Sequence, residues 1–213
     1  MQFDYLDFEA PDGIFVTARN DGDDICIVDS KGKVWMRITF EKEHVYLTVL
    51  THNIPSAYIG EKAKAIEERK CDIYCETEEN AQRCKQFLSD FIVIGYGDSS
   101  LNAERQWLIA LDLADLMSVI SSGTMLYHAL ELDIYDTEKT VRELCREHRS
   151  NDLKELLVCV YTRSNDPDAL AAYDSAISSF QAALPDDVAF MQQCIPDKSL
   201  KSNAIVHVLY NRY

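Results

Sequence analysis

The stretch that most constrains this chain runs from Trp107 to Leu132, and its pattern predicts a long amphipathic helix. Apolar residues recur there at spacings of three and four, which places one apolar stripe along one helix face. These residues are Leu113, Leu116, Met117, Ile120, Tyr127 and Leu130. Asp112 and Asp115 lie where the pattern begins, and the dipole of a helix favours carboxylates in its first turn. Taken alone, Asp112 is a helix cap and Asp115 an ordinary first-turn residue.

The N-terminal part of the chain predicts an antiparallel β-meander. Turn residues separate short stretches of alternating apolar and polar residues, as expected for strands joined by hairpins. The predicted strands cover residues 13–18, 24–29, 34–40 and 45–51. Residues 20–23 and 30–33 supply the first two turns. No residue pattern in this part indicates a reaction.

The next segment predicts a small α/β unit. It contains a charged helix over residues 57–69, a strand over 71–75, a helix that Thr77 caps and that ends near Asp90, and a strand over 91–95. A turn-rich link follows at residues 95–102. We therefore expect two domains, residues 1–100 and residues 101–213.

Beyond the central stretch the chain predicts alternating helices and strands. The helices cover residues 137–149 and 169–183, and the strands cover residues 156–162, 188–194 and 203–210. The fold class predicted for the whole chain is α/β, with a β-rich N-terminal part followed by a layer of helices on a mixed sheet.

The C-terminal half resembles the C-terminal domain of FtsZ, the bacterial relative of tubulin. That family carries an N-x-D-x-x-D loop that leads into a helix, and residues 110–115 of this chain read A-L-D-L-A-D. The segments L-L-V-C-V-Y-T, A-Y-D-S-A-I-S-S-F, V-A-F-M-Q-Q-C-I-P and A-I-V-H-V-L-Y are similar to the closing strand, helix, strand and strand of that family. The resemblance covers residues 108–213, about half of the chain.

The resemblance implies a role for two carboxylates in contact with a partner. In the family this loop enters the nucleotide pocket of the next subunit, and its two acids help to hydrolyse GTP; Asp112 and Asp115 match those positions. The asparagine of the motif is replaced by Ala110. Residues 1–107 contain no glycine-rich phosphate loop, since Gly95-Tyr96-Gly97 offers only G-x-G. We therefore expect no GTP binding by this chain alone, no cofactor and no catalytic residue.

Charge and composition exclude some classes of partner. The net charge is −15 and no cluster of Lys and Arg is longer than a few residues, so the basic surface that nucleic acid requires is absent from the sequence. No apolar run is long enough to span a membrane, and the acidic N-terminus lacks the pattern of a signal peptide. An acidic surface would steer the chain toward basic partners. We expect a cytoplasmic protein.

The cysteine and histidine residues allow two interpretations. Seven cysteines at irregular spacings indicate reduced, mostly buried thiols, and Cys71, Ile73 and Cys75 would share one strand face as part of the core. The alternative is a metal site or a Cys–His nucleophile, but His44 and His52 lack zinc-ligand spacing. His128, placed on the predicted central helix, and His207, in a strand, are expected to be packed or surface residues.

Two functions from different classes fit these observations, and neither is enzymatic. The first is an interaction or regulatory module that engages an FtsZ-like or tubulin-like filament subunit, as in cell division, or that associates with itself, with Asp112 and Asp115 at the contact. The alternative is an acidic neutralising protein, such as an immunity protein, that binds a basic protein. A hydrolase that uses a Cys–His or a carboxylate pair is a weaker third interpretation.

Overall fold

The computed structural model describes residues 14–59, 68–96, 113–120, 124–132, 139, 153–163, 167–185, 188–197, 200 and 204–212. The strands are β1 (Val16–Asp21), β2 (Asp24–Asp29), β3 (Val34–Glu41), β4 (His44–Val49), β5 (Arg69–Tyr74), β6 (Thr124–Leu132), β7 (Leu153–Thr162), β8 (Ala189–Pro196) and β9 (Ala204–Arg212). The helices are α1 (Glu78–Tyr96), α2 (Leu113–Val119) and α3 (Pro167–Ala183), with a 3-10 turn at Thr51–Asn53.

The nine described strands form one mixed sheet in the order β1-β2-β3-β4-β5-β6-β9-β7-β8. Strands β1 to β4 form the antiparallel meander that the turn pattern predicts, and β5, predicted as part of a separate α/β unit, continues it antiparallel to β4. Strand β5 then pairs with β6 in parallel, and β9 lies antiparallel between β6 and β7. Strand β8 pairs in parallel with β7 at the end of the sheet. The α/β fold class predicted from the sequence is confirmed.

In each half of the sheet a helix covers one face, and the two helices lie on opposite faces of the sheet. Helix α1 packs on the face that carries Ile27, Ile38, Leu47 and Ile73, and these residues belong to one large apolar core. Helix α3 packs on the other face, where alternate residues of β7, β9 and β8 form a second core. Its members include Leu156, Val158, Val160, Val206, Val208 and Cys194. Strand β7 is therefore buried on both faces, which explains its nearly continuous apolar sequence.

The first two turns of the meander have a backbone geometry that the sequence specifies. Gly22 and Gly32 have φ angles of 66° and 81°, a region that side chains disfavour. The buried carboxylate of Asp29 accepts the backbone N–H groups of Lys31 and Lys33, each at 2.9 Å. Its second oxygen accepts Nε1–H of Trp35 at 3.1 Å. One carboxylate thus holds both the β2–β3 turn and a core tryptophan.

Three segments differ from the sequence prediction. The stretch Trp107–Leu132 was predicted as one helix; of its described residues, Leu113–Val119 are helical, but Thr124–Leu132 form the strand β6. The apolar run at residues 91–95 was predicted as a strand, but it completes α1. Because short apolar runs fit a buried helix and a buried strand equally well, periodicity alone could not decide between them. The predicted helix over 57–69 is also too long, since Arg69 begins β5.

Other predicted segments agree with the structure or fall outside the part that it describes. Thr77 caps α1, since its hydroxyl oxygen accepts N–H of Asn80 at 3.1 Å. The helix predicted over residues 137–149 lies outside the described residues, apart from residue 139, which is helical. The predicted domain boundary near residue 100 also lies outside them, and it stays a prediction. Strands β5 and β6, one from each predicted domain, are neighbours in the same sheet.

We expect Phe91→Ala to lower the free energy of unfolding by about 3–5 kcal/mol, because Phe91 is fully buried in the core under α1 and truncation leaves a cavity. Urea unfolding followed by circular dichroism measures this loss. The control is Gln82→Ala on the exposed side of the same helix, which should change stability by less than about 0.5 kcal/mol. A Phe91→Ala loss as small as the control's would contradict the position of this residue.

Candidate interaction surface

The most distinctive exposed group lies on β4 and β5, on the side opposite α1. Side chains that alternate with the core residues of these strands point away from α1, and they include His44, Tyr46, Asp72 and Tyr74. Among the described residues no helix packs on this side of β3, β4 and β5. We call these four residues the tyrosine–histidine cluster.

The cluster is held together by one polar contact and two ring contacts. His44 Nδ1 lies 2.8 Å from Asp72 Oδ1, and each side chain is 36% exposed. The His44 ring stacks on Tyr46 with centroids 5.9 Å apart and planes at 10°, and it lies 5.3 Å from Tyr74. Cross-strand pairing brings these residues together, since His44 is opposite Tyr74 and Tyr46 is opposite Asp72. The arrangement presents a pre-ordered aromatic surface to solvent.

Charged residues of both signs surround the cluster. Arg37 lies on β3 and Lys70 on β5, and both are exposed on the same side of the sheet because they flank Thr48 in one cross-strand row. Arg37 pairs with Asp21 at 3.7 Å, and Lys70 pairs with Glu68 at 3.2 Å. Tyrosine with a rim of charged residues is the composition typical of protein–protein contact surfaces.

A histidine that is oriented by a carboxylate also serves as the general base in a Ser-His-Asp triad. In the described part of the chain, His44 makes no hydrogen bond to a serine, threonine or cysteine. The described cysteines are buried, and burial raises the pKa of Cys71, with a further contribution from Asp72, to about 12. Burial raises the pKa of Cys194 to about 11. Such thiols stay protonated at neutral pH and are poor nucleophiles.

Cys71, Ile73 and Cys75 lie on one face of the chain at β5 and are buried, so the prediction of a core stripe is confirmed. Cys145 lies outside the described residues. The described residues contain no group of three or more His, Cys, Asp or Glu side chains placed to hold a metal ion.

His207 is a packing residue at the junction of α1 with the C-terminal strands. Its ring stacks on Phe87 of α1 at 4.8 Å and lies 4.7 Å from the Tyr161 ring. Nδ1 lies 2.7 Å from the hydroxyl of Tyr127, and the two groups share a hydrogen bond. Burial, together with the charge of Arg83, lowers the pKa of His207 to about 3. The expectation of a packed or surface histidine is confirmed, and no pattern in the sequence indicates its partner Tyr127.

His128 lies on strand β6, whereas the sequence pattern predicted that it would lie on a helix. It is buried, and its ring stacks on Tyr210 with centroids 5.8 Å apart. Nδ1 lies 3.9 Å from Glu76 Oε2. His128 is therefore a packed residue as well, within the face that α3 covers.

The two sequence-predicted contact residues are placed only in part. Asp112 lies outside the described residues, and Asp115 lies in α2. Helix α2 is fixed by Leu113, Leu116 and Met117, which are buried in the core. The N–H of Leu113 donates to the hydroxyl of Tyr96, the last residue of α1. The start of α2 is thus attached to the end of α1, and the contact role of both carboxylates stays a prediction.

Comparison with solved structures finds similar backbones that include FtsZ and TubZ. An empty FtsZ dimer from M. jannaschii matches with 12% identity and a TM-score of 0.43, covering 62% of this chain and 39% of that one. A GTPγS-form protofilament of TubZ from Bacillus thuringiensis serovar israelensis matches with 13% identity and a TM-score of 0.43, over 62% of this chain and 35% of that one. This chain therefore aligns with less than half the length of each protein.

Similarity at this level concerns the backbone alone and assigns no activity. The sequence matches no family model. No curated protein matches it either. None of the described helices is long and apolar enough to cross a membrane.

We expect acid to destabilise the protein through His207. Its folded pKa of about 3 lies below the ordinary value of 6.5, so between these limits the unfolded chain binds a proton that the folded chain does not. The free energy of unfolding should therefore fall as pH drops below 6.5, by about 2 kcal/mol near pH 5, and this contribution should be constant at higher pH.

Urea unfolding of the wild type and of His207→Phe at a series of pH values tests this expectation. Other titrating groups cancel in the difference between the two proteins, so the wild-type advantage at neutral pH should shrink as the solution is acidified. His52→Gln, which changes an exposed histidine, is the control and should follow the wild type. A pH-independent difference between wild type and His207→Phe would show that His207 does not titrate as stated.

Proposed function

We propose that this chain is a non-enzymatic protein-binding module that engages a subunit of an FtsZ-like or tubulin-like filament. The tyrosine–histidine cluster carries the proposal, because it is an ordered aromatic surface on a sheet face that no described helix covers. The protonated state of the buried thiols and the packed positions of His128 and His207 favour binding over catalysis.

The choice of partner comes from the sequence resemblance. In the described part of residues 113–212 the elements follow the order helix, strand, strand, helix, strand, strand. The last four, β7, α3, β8 and β9, have the order strand, helix, strand, strand that the resemblance implies. Asp112 and Asp115 would contact the filament subunit at one site, and the tyrosine–histidine cluster would provide a second contact. With no phosphate loop in residues 1–107, the chain would act on the partner's GTP turnover without binding the nucleotide itself.

We expect the chain to co-sediment with purified FtsZ in the presence of GTP and to change its GTP turnover. Asp112→Ala/Asp115→Ala should abolish both effects, because it removes both predicted contact carboxylates. Asp168→Ala/Asp174→Ala removes the same charge from exposed positions of α3 and is the matched control. Full activity of a folded Asp112→Ala/Asp115→Ala variant would remove these residues from the site.

We expect Tyr46→Ala to weaken co-sedimentation by about tenfold, since truncation of a central interface tyrosine typically costs more than 1 kcal/mol. Tyr46 is 37% exposed, so the variant should keep the stability of the wild type. Phe15→Ala, which truncates a ring that is 41% exposed away from the cluster, should bind like the wild type. Equal binding by all three proteins would exclude the cluster from the interface.

The acidic neutralising protein is the second candidate, and the net charge of −15 favours it. Electrostatic steering predicts an association rate that falls steeply with ionic strength, by about tenfold or more across a physiological salt range. Stopped-flow association with cytochrome c as a basic probe, together with the FtsZ assay, separates the two functions. Fast, salt-sensitive binding to the basic probe without an effect on FtsZ would favour the neutralising protein.

A further inference from the structure

Two carboxylates lie beside the rings of the tyrosine–histidine cluster and give this surface a negative character. In the register of the meander, Tyr46 is opposite Asp72 of β5, and His44 is opposite Glu41 of β3. The carboxylates therefore lie on either side of β4, at diagonal corners of the ring surface. Partial burial, together with the charges of Asp72 and Glu41, raises the pKa of the Tyr46 hydroxyl. The negative charge thus acts at the ring itself.

The carboxylate of Asp72 can accept a further hydrogen bond from an incoming group. Its contact with His44 uses the oxygen Oδ1, and a carboxylate has two oxygens that together accept about four hydrogen bonds. The Asp72 side chain is 36% exposed, so a group of a partner can approach it from solvent. Glu41 is exposed as well. Both carboxylates are therefore accessible beside the rings.

Positive charge is concentrated at the other end of this surface. Arg37 and Lys70 lie in the cross-strand row of Thr48, on the side of Tyr46 that faces away from His44. Each of the two already pairs with a carboxylate outside the cluster. The end formed by the rings with Glu41 and Asp72 is therefore left with a negative charge.

We propose that the tyrosine–histidine cluster binds an arginine side chain of its protein partner. A guanidinium group stacks on aromatic faces and donates parallel hydrogen bonds to a carboxylate, so rings placed beside carboxylates meet both of its preferences. The net charge of −15 attracts a basic side chain from a distance. In taking the cluster as the protein-binding surface, we rely on the proposed function.

The arrangement of the cluster favours arginine over lysine. A guanidinium stacked on the ring of Tyr46 lies next to Asp72, the residue opposite in the register, and Glu41 adds its charge from the other strand. An ammonium group carries the same charge but has no planar face to stack on the ring. Because His44 already contacts Asp72 and the Tyr46 ring, the surface is ordered before the partner arrives, which reduces the entropic cost of binding.

Titration of the whole chain with short peptides, followed by the NMR signals of its tyrosine rings, tests the proposal. The probe is the peptide G-G-R-G-G with blocked ends, and its controls carry lysine or citrulline in place of the arginine. The arginine peptide should shift the ring signals of Tyr46 and Tyr74 until they saturate, and the lysine peptide should bind more weakly. Citrulline keeps the shape of arginine without its charge and should cause no saturable shift. Equal binding of the arginine and citrulline peptides, or no binding of the arginine peptide, overturns the proposal.

Substitutions in the cluster test each part of the site. Tyr46→Leu, which removes the aromatic face, should weaken arginine-peptide binding by about twofold to fivefold. Asp72→Asn and Glu41→Gln should each weaken it by about threefold, and Glu41→Gln leaves the contact between His44 and Asp72 in place. Asp168→Asn removes the same charge from an exposed position of α3 and should bind like the wild type. Undiminished binding by all three cluster variants would place the peptide elsewhere and overturn the proposal.

The peptide titration and the FtsZ assay fail independently of each other. Arginine-dependent peptide binding at the cluster without any effect on FtsZ supports the arginine site and removes the filament subunit as the partner. Loss of FtsZ co-sedimentation in Tyr46→Ala, without binding of the arginine peptide to the wild type, keeps the cluster as an interface and overturns arginine as the group that it recognises.

Discussion

The structure depends on the burial of one face of helix α1 against the sheet. Phe87, Leu88, Phe91 and Ile92 are buried along this helix, and they close the core over strands from both halves of the chain. The ring of Phe87 also stacks on His207 of β9. Because β5 and β6 are hydrogen-bonded neighbours beneath this core, the N-terminal meander and the C-terminal strands share their largest source of stability.

The ionisable side chains divide according to the face on which they lie. His207 lies under α1, where it pairs with Tyr127 and remains neutral, so it contributes to packing. His44 lies on the opposite side of the meander, where Asp72 fixes its orientation in partial contact with water. The same residue type therefore serves the core at one place and a candidate binding surface at another. Burial, and not residue identity, makes the difference.

Some of these features could be predicted from sequence because they rest on local patterns. Turn residues around Gly22 and Gly32 identified the meander, and Thr77 identified the start of α1. The stripe of Cys71, Ile73 and Cys75 followed from strand alternation. The prediction failed at Thr124–Leu132, where Tyr127 and Leu130 continue a helical spacing although the segment is a strand, and at residues 91–95, where a short apolar run fits a helix and a strand equally well.

The sequence by itself determined the α/β class, the positions of the hairpins, the buried character of the cysteines and the acidic surface. These properties depend on composition and on neighbours a few residues apart. Only the tertiary structure decided that β5 lies beside β6, that His44 meets Asp72, and that His207 meets Tyr127. Each of these depends on contacts between residues distant in sequence, and the free energy of burying two opposite sheet faces selects them together.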